Sequence, residues 1–181
     1  MSLPEFGIEI TGQGWITDDE ESARWDRCTH GDLRLVVGGT VIVPGDGDGE
    51  FTISTSALQL LRTLESDHVP RADGSERLIL HCGMLLMASC PIGVDWRVTH
   101  RDGMVCLEDV VRVDDRATTR FPGLVVEVAQ EEYRRQIVAF AEKAKEPFVG
   151  VEKSFEDDDY DLVLYPRFWA EYDAIIARHR G

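Results

Sequence analysis

The chain has 181 residues, enough for one well-cored domain and too few for two without a visible linker, so a single domain over 1–181 is expected. Thirty-four acidic against nineteen basic side chains, a formal net charge of -15, set up a field that repels phosphate backbones and anionic lipid, which argues against nucleic-acid binding. With 43% hydrophobic and 29% charged residues, and no run near the roughly 20 apolar residues of a membrane helix, the profile is that of a soluble globular protein with no membrane partner.

The N-terminus, MSLPEFGIEI, has no basic segment followed by an apolar core, so no secretory signal is read there. Together with four cysteines (Cys28, Cys82, Cys90, Cys106), this predicts a cytoplasmic protein with reduced thiols. Residues 17–27, TDDEESARWDR, form an acidic segment that can make a short helix on a solvated face. LRLVV and TVIV flank Gly38-Gly39, a hairpin signal with Leu33, Leu35 and Val37 on one face, and a short strand over 51–53 follows the acidic loop.

Ser56-Ala-Leu-Gln59 has capping-box spacing ahead of Ala57, Leu58, Leu61 and Leu64, which predicts a helix over about 57–66. LILHC and MLLMASC are continuous apolar runs, expected as strands buried on both faces and joined by a tight glycine turn. After Pro91, the residues Ile92, Val94, Trp96 and Val98 alternate with polar ones, a half-exposed strand. Asp102-Gly103 turns it, and the returning strand places Val105, Leu107, Val111 and Val113 on one face. A polar loop leads to a further strand in LVVEV. From Gln130 to Glu146 an apolar stripe runs between acids in the first turn and lysines in the last, with Pro147 beyond. A last helix is expected from Pro166 to about His179, burying Phe168, Trp169, Tyr172, Ile175 and Ile176 in the core. Strands first and helices late predict α+β: a mainly antiparallel sheet with three or so helices on one face.

Cys28, His30, His81 and Cys82 are the candidate chemistry-bearing residues, because together they make a Cys2His2 set. The usual zinc-ligand spacings are absent, and neighbours in a strand point to opposite faces, so His81 could not serve Cys82 as a base. A base for a thiol nucleophile would have to come from His30, His68 or His100. The acidic loops fail as EF-hands, since counting from Asp46 puts Phe51 and Ala57, and from Asp157 puts Leu162 and Phe168, where glycine and glutamate are required. Phosphate-loop, dinucleotide, zincin and hydrolase-elbow motifs are missing, so the sequence calls for no cofactor.

His30-Gly31 ahead of a hairpin, the ALQLLRTLESDH helix, His81-Cys82-Gly83 and Gly93-Val-Asp95-Trp96 resemble a group of uncharacterised bacterial proteins over about positions 28–100, and more loosely in the C-terminal helices. That resemblance implies no activity and transfers no residue role. A looser analogy, by size and acidity, is to immunity proteins of bacterial toxin systems. The expected function is a non-catalytic, regulatory or immunity-like module that binds a basic protein through its acidic surface, as monomer or homodimer. The alternative is a metal- or thiol-dependent enzyme centred on Cys28, His30, His81 and Cys82.

Overall fold

The computed structural model describes residues 3–17, 19–45, 51–74, 76–87, 89–156 and 160–180. Asp46, Asp48, Glu50, Asp157 and Asp159 of the two acidic loops lie outside the described residues. In chain order the elements are β1 (Phe6–Ile10), α1 (Glu20–Trp25), β2 (His30–Gly31), β3 (Leu33–Val37), β4 (Thr40–Val43) and β5 (Phe51–Thr52). There follow α2 (Ile53–Arg62), β6 (Ile79–Leu80), β7 (Gly93–Arg101), β8 (Met104–Val113), β9 (Thr118–Arg120), β10 (Val126–Ala129), α3 (Gln130–Lys145), a 3-10 turn at Glu146–Phe148 and α4 (Asp161–His179).

The α+β expectation holds. Strands pair antiparallel in a β1-β3-β4 sheet, a β10-β8-β7-β6 sheet with β9 added to β8, and a two-stranded β2-β5 ribbon. One hydrophobic cluster joins sheets and helices: the Phe6 ring of β1 lies 6.4 Å from that of Trp96 on β7 and 4.9 Å from that of Tyr133 on α3. Helix α3 packs on β1, β10 and α2, and α4 lies over α2 and α3, so the three long helices form one layer. Among the described residues no helix is long and apolar enough to cross a membrane.

The β3–β4 hairpin turns on Gly38 and Gly39, both at positive φ (+57° and +66°), the pair that a two-residue turn between right-twisted strands requires. A Cβ at Gly38 would sit 2.7 Å from both Leu124 and Val126, so this turn is also where the two larger sheets touch. The β7–β8 hairpin forms as expected, but its facing does not. Asp95 pairs with Val111 and Arg97 with Glu108, so Trp96 faces two residues, Asp109 and Val110, and Asp109 takes φ +56° at the resulting bulge. The extra residue reverses the alternation, so Val110 joins Val105 and Leu107 in the core while Val111 and Val113 move to the face of Gly93, Asp95 and Arg97.

Other boundaries differ for local reasons. Strands β1 and β9 were not anticipated, and the latter lies in the expected polar loop. Helix α2 starts at Ile53 rather than Ala57, and no capping box forms, because the Ser56 hydroxyl bonds back to Thr52 O (2.7 Å) and accepts Leu80 N–H (2.9 Å). Helix α4 starts a turn before Pro166, and the proline is tolerated because the carbonyl it cannot serve, that of Leu162, belongs to a residue exposed in the first turn. Phe168, Tyr172, Ile175 and Ile176 are buried as expected, while Trp169 is only partly covered.

Candidate metal centre

The apolar run from Leu78 to Cys90 is not a pair of strands. Pairing stops after Ile79 and Leu80, with one further bond from His81 N–H to Ile92 O (3.3 Å), and the chain then loops out. Leu85 enters the core at φ +52°, Met84 and Leu86 pack against it, and Met87 N–H closes a turn on Met84 O (2.9 Å). An apolar stretch of this length looks the same whether it is a buried strand or a loop plugged by one leucine.

What shapes this loop is the polar start of α2. Thr52 Oγ1 donates to His81 O (3.2 Å), Thr55 Oγ1 donates to Gly83 O (3.3 Å), and Ser56 Oγ accepts from Leu80 N–H. On the other side of the same turn, Ser54 Oγ accepts Thr29 N–H (3.2 Å), Ile53 N–H bonds to Thr29 O (2.8 Å), and His30 pairs with Thr52. Four buried hydroxyl residues within five positions therefore grip the 28–30 segment on one flank and the 80–83 segment on the other.

The loop doubles back on itself: a Cβ at Gly83 would lie 3.2 Å from Ser89 Cβ. That fold brings His81, Cys82 and Cys90 together, with one donor atom from each within 4.8 Å of the others. Cys90 Sγ is 3.9 Å from His81 Nδ1. In a zinc tetrahedron with bonds of about 2.3 Å to sulfur and 2.0–2.1 Å to nitrogen, donor atoms stand roughly 3.5–3.8 Å apart, so a small inward movement suffices. Both His81 and Cys82 are exposed, and Cys90 is half-buried.

The two thiols differ. The hydrogen bond to Cys90, and then burial, raise the Cys82 thiol above its ordinary range. Burial opposes ionisation of Cys90, but the Cys82 thiol and the neighbouring backbone outweigh it and lower Cys90. Of the two, Cys90 is therefore the thiol that ionises first, and Cys82 donates the hydrogen bond to it. Two chemistries suit the arrangement: sharing a soft cation, or closing a disulfide under oxidation.

The other expected members sit elsewhere. Cys28 and His30 do share a face, with Sγ and Nε2 3.6 Å apart, but among the described residues they do not join the His81 cluster. Burial, reinforced by Asp26, pushes the Cys28 thiol up to about 12, which removes it as a nucleophile near neutral pH. His68 is hydrogen-bonded to the fully buried Asp95 (2.7 Å) and His100 to Asp67 (2.9 Å), so both imidazoles are committed to carboxylates. Cys90 is the member that the sequence argument missed. Its signal was punctuation: Gly83 and Pro91 bracket a stretch whose ends, HC and SC, meet only if the stretch is a loop.

No family model, curated protein or solved structure matches the chain.

Proposed function

We propose that the chain is a thiolate metal-binding protein whose site is His81, Cys82 and Cys90, taking one zinc-type cation and leaving one coordination position for water or a further ligand. The observation that carries this reading is the convergence of two sulfurs and an imidazole on a loop held at four points, by Thr52, Thr55, Ser56 and the Ile92 carbonyl. Three protein ligands with an open position is the ligand count of zinc sites that act on bound molecules, whereas purely structural sites close all four. The test is cobalt(II) titration of the reduced protein, followed through sulfur-to-cobalt charge-transfer absorption. One equivalent should bind, Cys82→Ser with Cys90→Ser should abolish the band, and Cys28→Ser should leave it unchanged. A double variant that binds cobalt like the parent would refute the site.

A second reading, a cytoplasmic partner-binding module that takes a basic protein, is supported by the net charge and by one exposed apolar area. Trp25, Tyr160, Leu162 and Val163 are all exposed, and Arg27 ties their segments together by bonding both the Trp25 carbonyl and Asp161. Trp25→Ala with Tyr160→Ala should keep the melting temperature and abolish any salt-sensitive partner recovered from native extract. A partner retained undiminished by that variant would refute this surface.

A further inference from the structure

The outer face of the large sheet carries a groove of about 770 Å³, walled by residues 70–74 on one side and 118–125 on the other. Volumes of this order hold small organic ligands. Its floor is Val111 and Val113, the residues that the bulge at Asp109 turned outward. Four arginines (Arg71, Arg77, Arg97, Arg120) and three acids (Asp73, Glu108, Asp109) line it, a positive local balance in a chain of net charge -15.

These charges are not equivalent. Arg97 is paired with Glu108 (3.3 Å) and Asp109 (3.0 Å), and Arg71 with Glu76 (2.9 Å). Asp73 also has a partner. Arg77 is different: it is only 7% exposed, its Nε donates to Pro91 O (2.6 Å), and no carboxylate of a described residue pairs with it. Arg77 lines the groove, and its two terminal nitrogens have no hydrogen-bond partner among the described residues.

The backbone makes room for this side chain. A Cβ at Gly93 would fall 3.2 Å from Arg77 Cδ, and one at Gly74 would fall 2.8 Å from Nη2. A guanidinium kept out of water without a counter-charge is unfavourable unless an anion completes it. Arg120, on the opposite wall, is exposed and has no ion-pair partner among the described residues.

We propose that this groove binds a small organic anion, with a carboxylate or phosphate head taken by the Arg77 fork and Arg120 and an apolar body lying on Val111, Val113 and Leu124. The planar fork of arginine matches two oxygens of such a head. None of His81, Cys82 and Cys90 lines this groove, although Pro91, next to Cys90, does.

Calorimetric titration at constant ionic strength, with phenyl phosphate, benzoate and inorganic phosphate as probes, tests this. One of the two aromatic anions should bind saturably at one per chain, and whichever binds tighter identifies the head. Inorganic phosphate should bind at least about tenfold more weakly than phenyl phosphate, because it cannot use the apolar floor. Arg77→Met should weaken the tighter anion by at least about tenfold. Arg120→Met, exposed and harmless to folding, should weaken it about threefold or more, while Arg167→Gln on α4 should change nothing. The proposal is overturned if neither aromatic anion saturates the parent below ~10 mM, far weaker than the affinities of specific small-ligand sites. It is equally overturned if Arg77→Met binds as the parent does. Should Arg77→Met fail to fold, unchanged binding by Arg120→Met overturns it.

Discussion

Ser56 offers a direct way to separate what holds the candidate metal loop from what merely stabilises the fold. Its hydroxyl donates to Thr52 O and accepts from Leu80 N–H, in a place where both partners are buried. Ser56→Ala orphans the Leu80 N–H, at about 1–3 kcal/mol, and loses a second bond worth about 1 kcal/mol. The sum, about 2–4 kcal/mol, corresponds to a fall in melting temperature of roughly 5–15 °C for a domain of this size. Ser54→Ala should cost about 1–3 kcal/mol, because it orphans Thr29 N–H on the other flank of the same helix turn. The two variants diverge at the site. Ser56→Ala frees the end of β6, from which His81 and Cys82 emerge, and should weaken cobalt binding at least about threefold (an ordering cost near 0.7 kcal/mol). Ser54→Ala should leave cobalt affinity as it was. Thermal unfolding followed by circular dichroism, with cobalt titration of each variant, reads both quantities. Equal loss of cobalt affinity in both variants, or none in Ser56→Ala, would refute the role assigned to the hydroxyl grip.

Further outcomes can be checked separately. A thiol reagent at neutral pH should modify Cys90 first among the cluster thiols and reach Cys28 only on unfolding, as followed by mass spectrometry of timed digests. Because the folded protein holds the Cys28 proton up to about pH 12 and the unfolded chain releases it near 9, the folded state binds the extra proton between those values; stability from this group is complete below pH 9 and is lost as pH rises towards 12, and Cys28→Ala should flatten that alkaline limb in denaturant titrations. Trp169→Ala should cost about 3 kcal/mol and lower the monomer's melting temperature without changing its sedimentation, since the ring packs on Phe148, Phe168 and Tyr172. Tyr172→Phe should cost about 1 kcal/mol for the lost bond to Ala141 O. Gly38→Ala should destabilise more than Gly39→Ala in the same thermal assay: both pay about 1–2 kcal/mol for positive φ, but only Gly38 meets Leu124 and Val126.

Where periodicity and turn chemistry agreed, the sequence could be read closely. The Gly38-Gly39 and Asp102-Gly103 turns and the stripe of α3 appear where they were expected. Errors arose where a tertiary partner outbid a local rule. Ser56 looked like a helix cap until Leu80 N–H, 24 residues away, claimed its hydroxyl. Val111 and Val113 looked inward because strict alternation cannot reveal an inserted residue, and Asp109 is one. The candidate site was half legible: His81 and Cys82 stood out by adjacency, but the third donor depends on a loop that hydrophobic content disguised as a strand. Arg77 was invisible, because burial of an arginine after a turn is decided by Gly74, Gly93 and Pro91, not by its own neighbours in the chain.

The grip of α2 on the 80–83 segment also governs the order of assembly. The 33–43 and 93–113 hairpins close over short glycine turns and can form within about 1–10 μs. By contrast, α2 must capture residues nearly thirty positions downstream, and α4 must cross more than a hundred residues of chain to cover α2. Until α2 docks, nothing holds Leu85 in the core, and the run MLLM stands open beside two thiols and a finished hairpin edge. The loop that α2 organises in the native state is thus the segment most exposed to sticking or wrong pairing while the chain is young, and crowded or oxidising refolding should lose yield there before anywhere else.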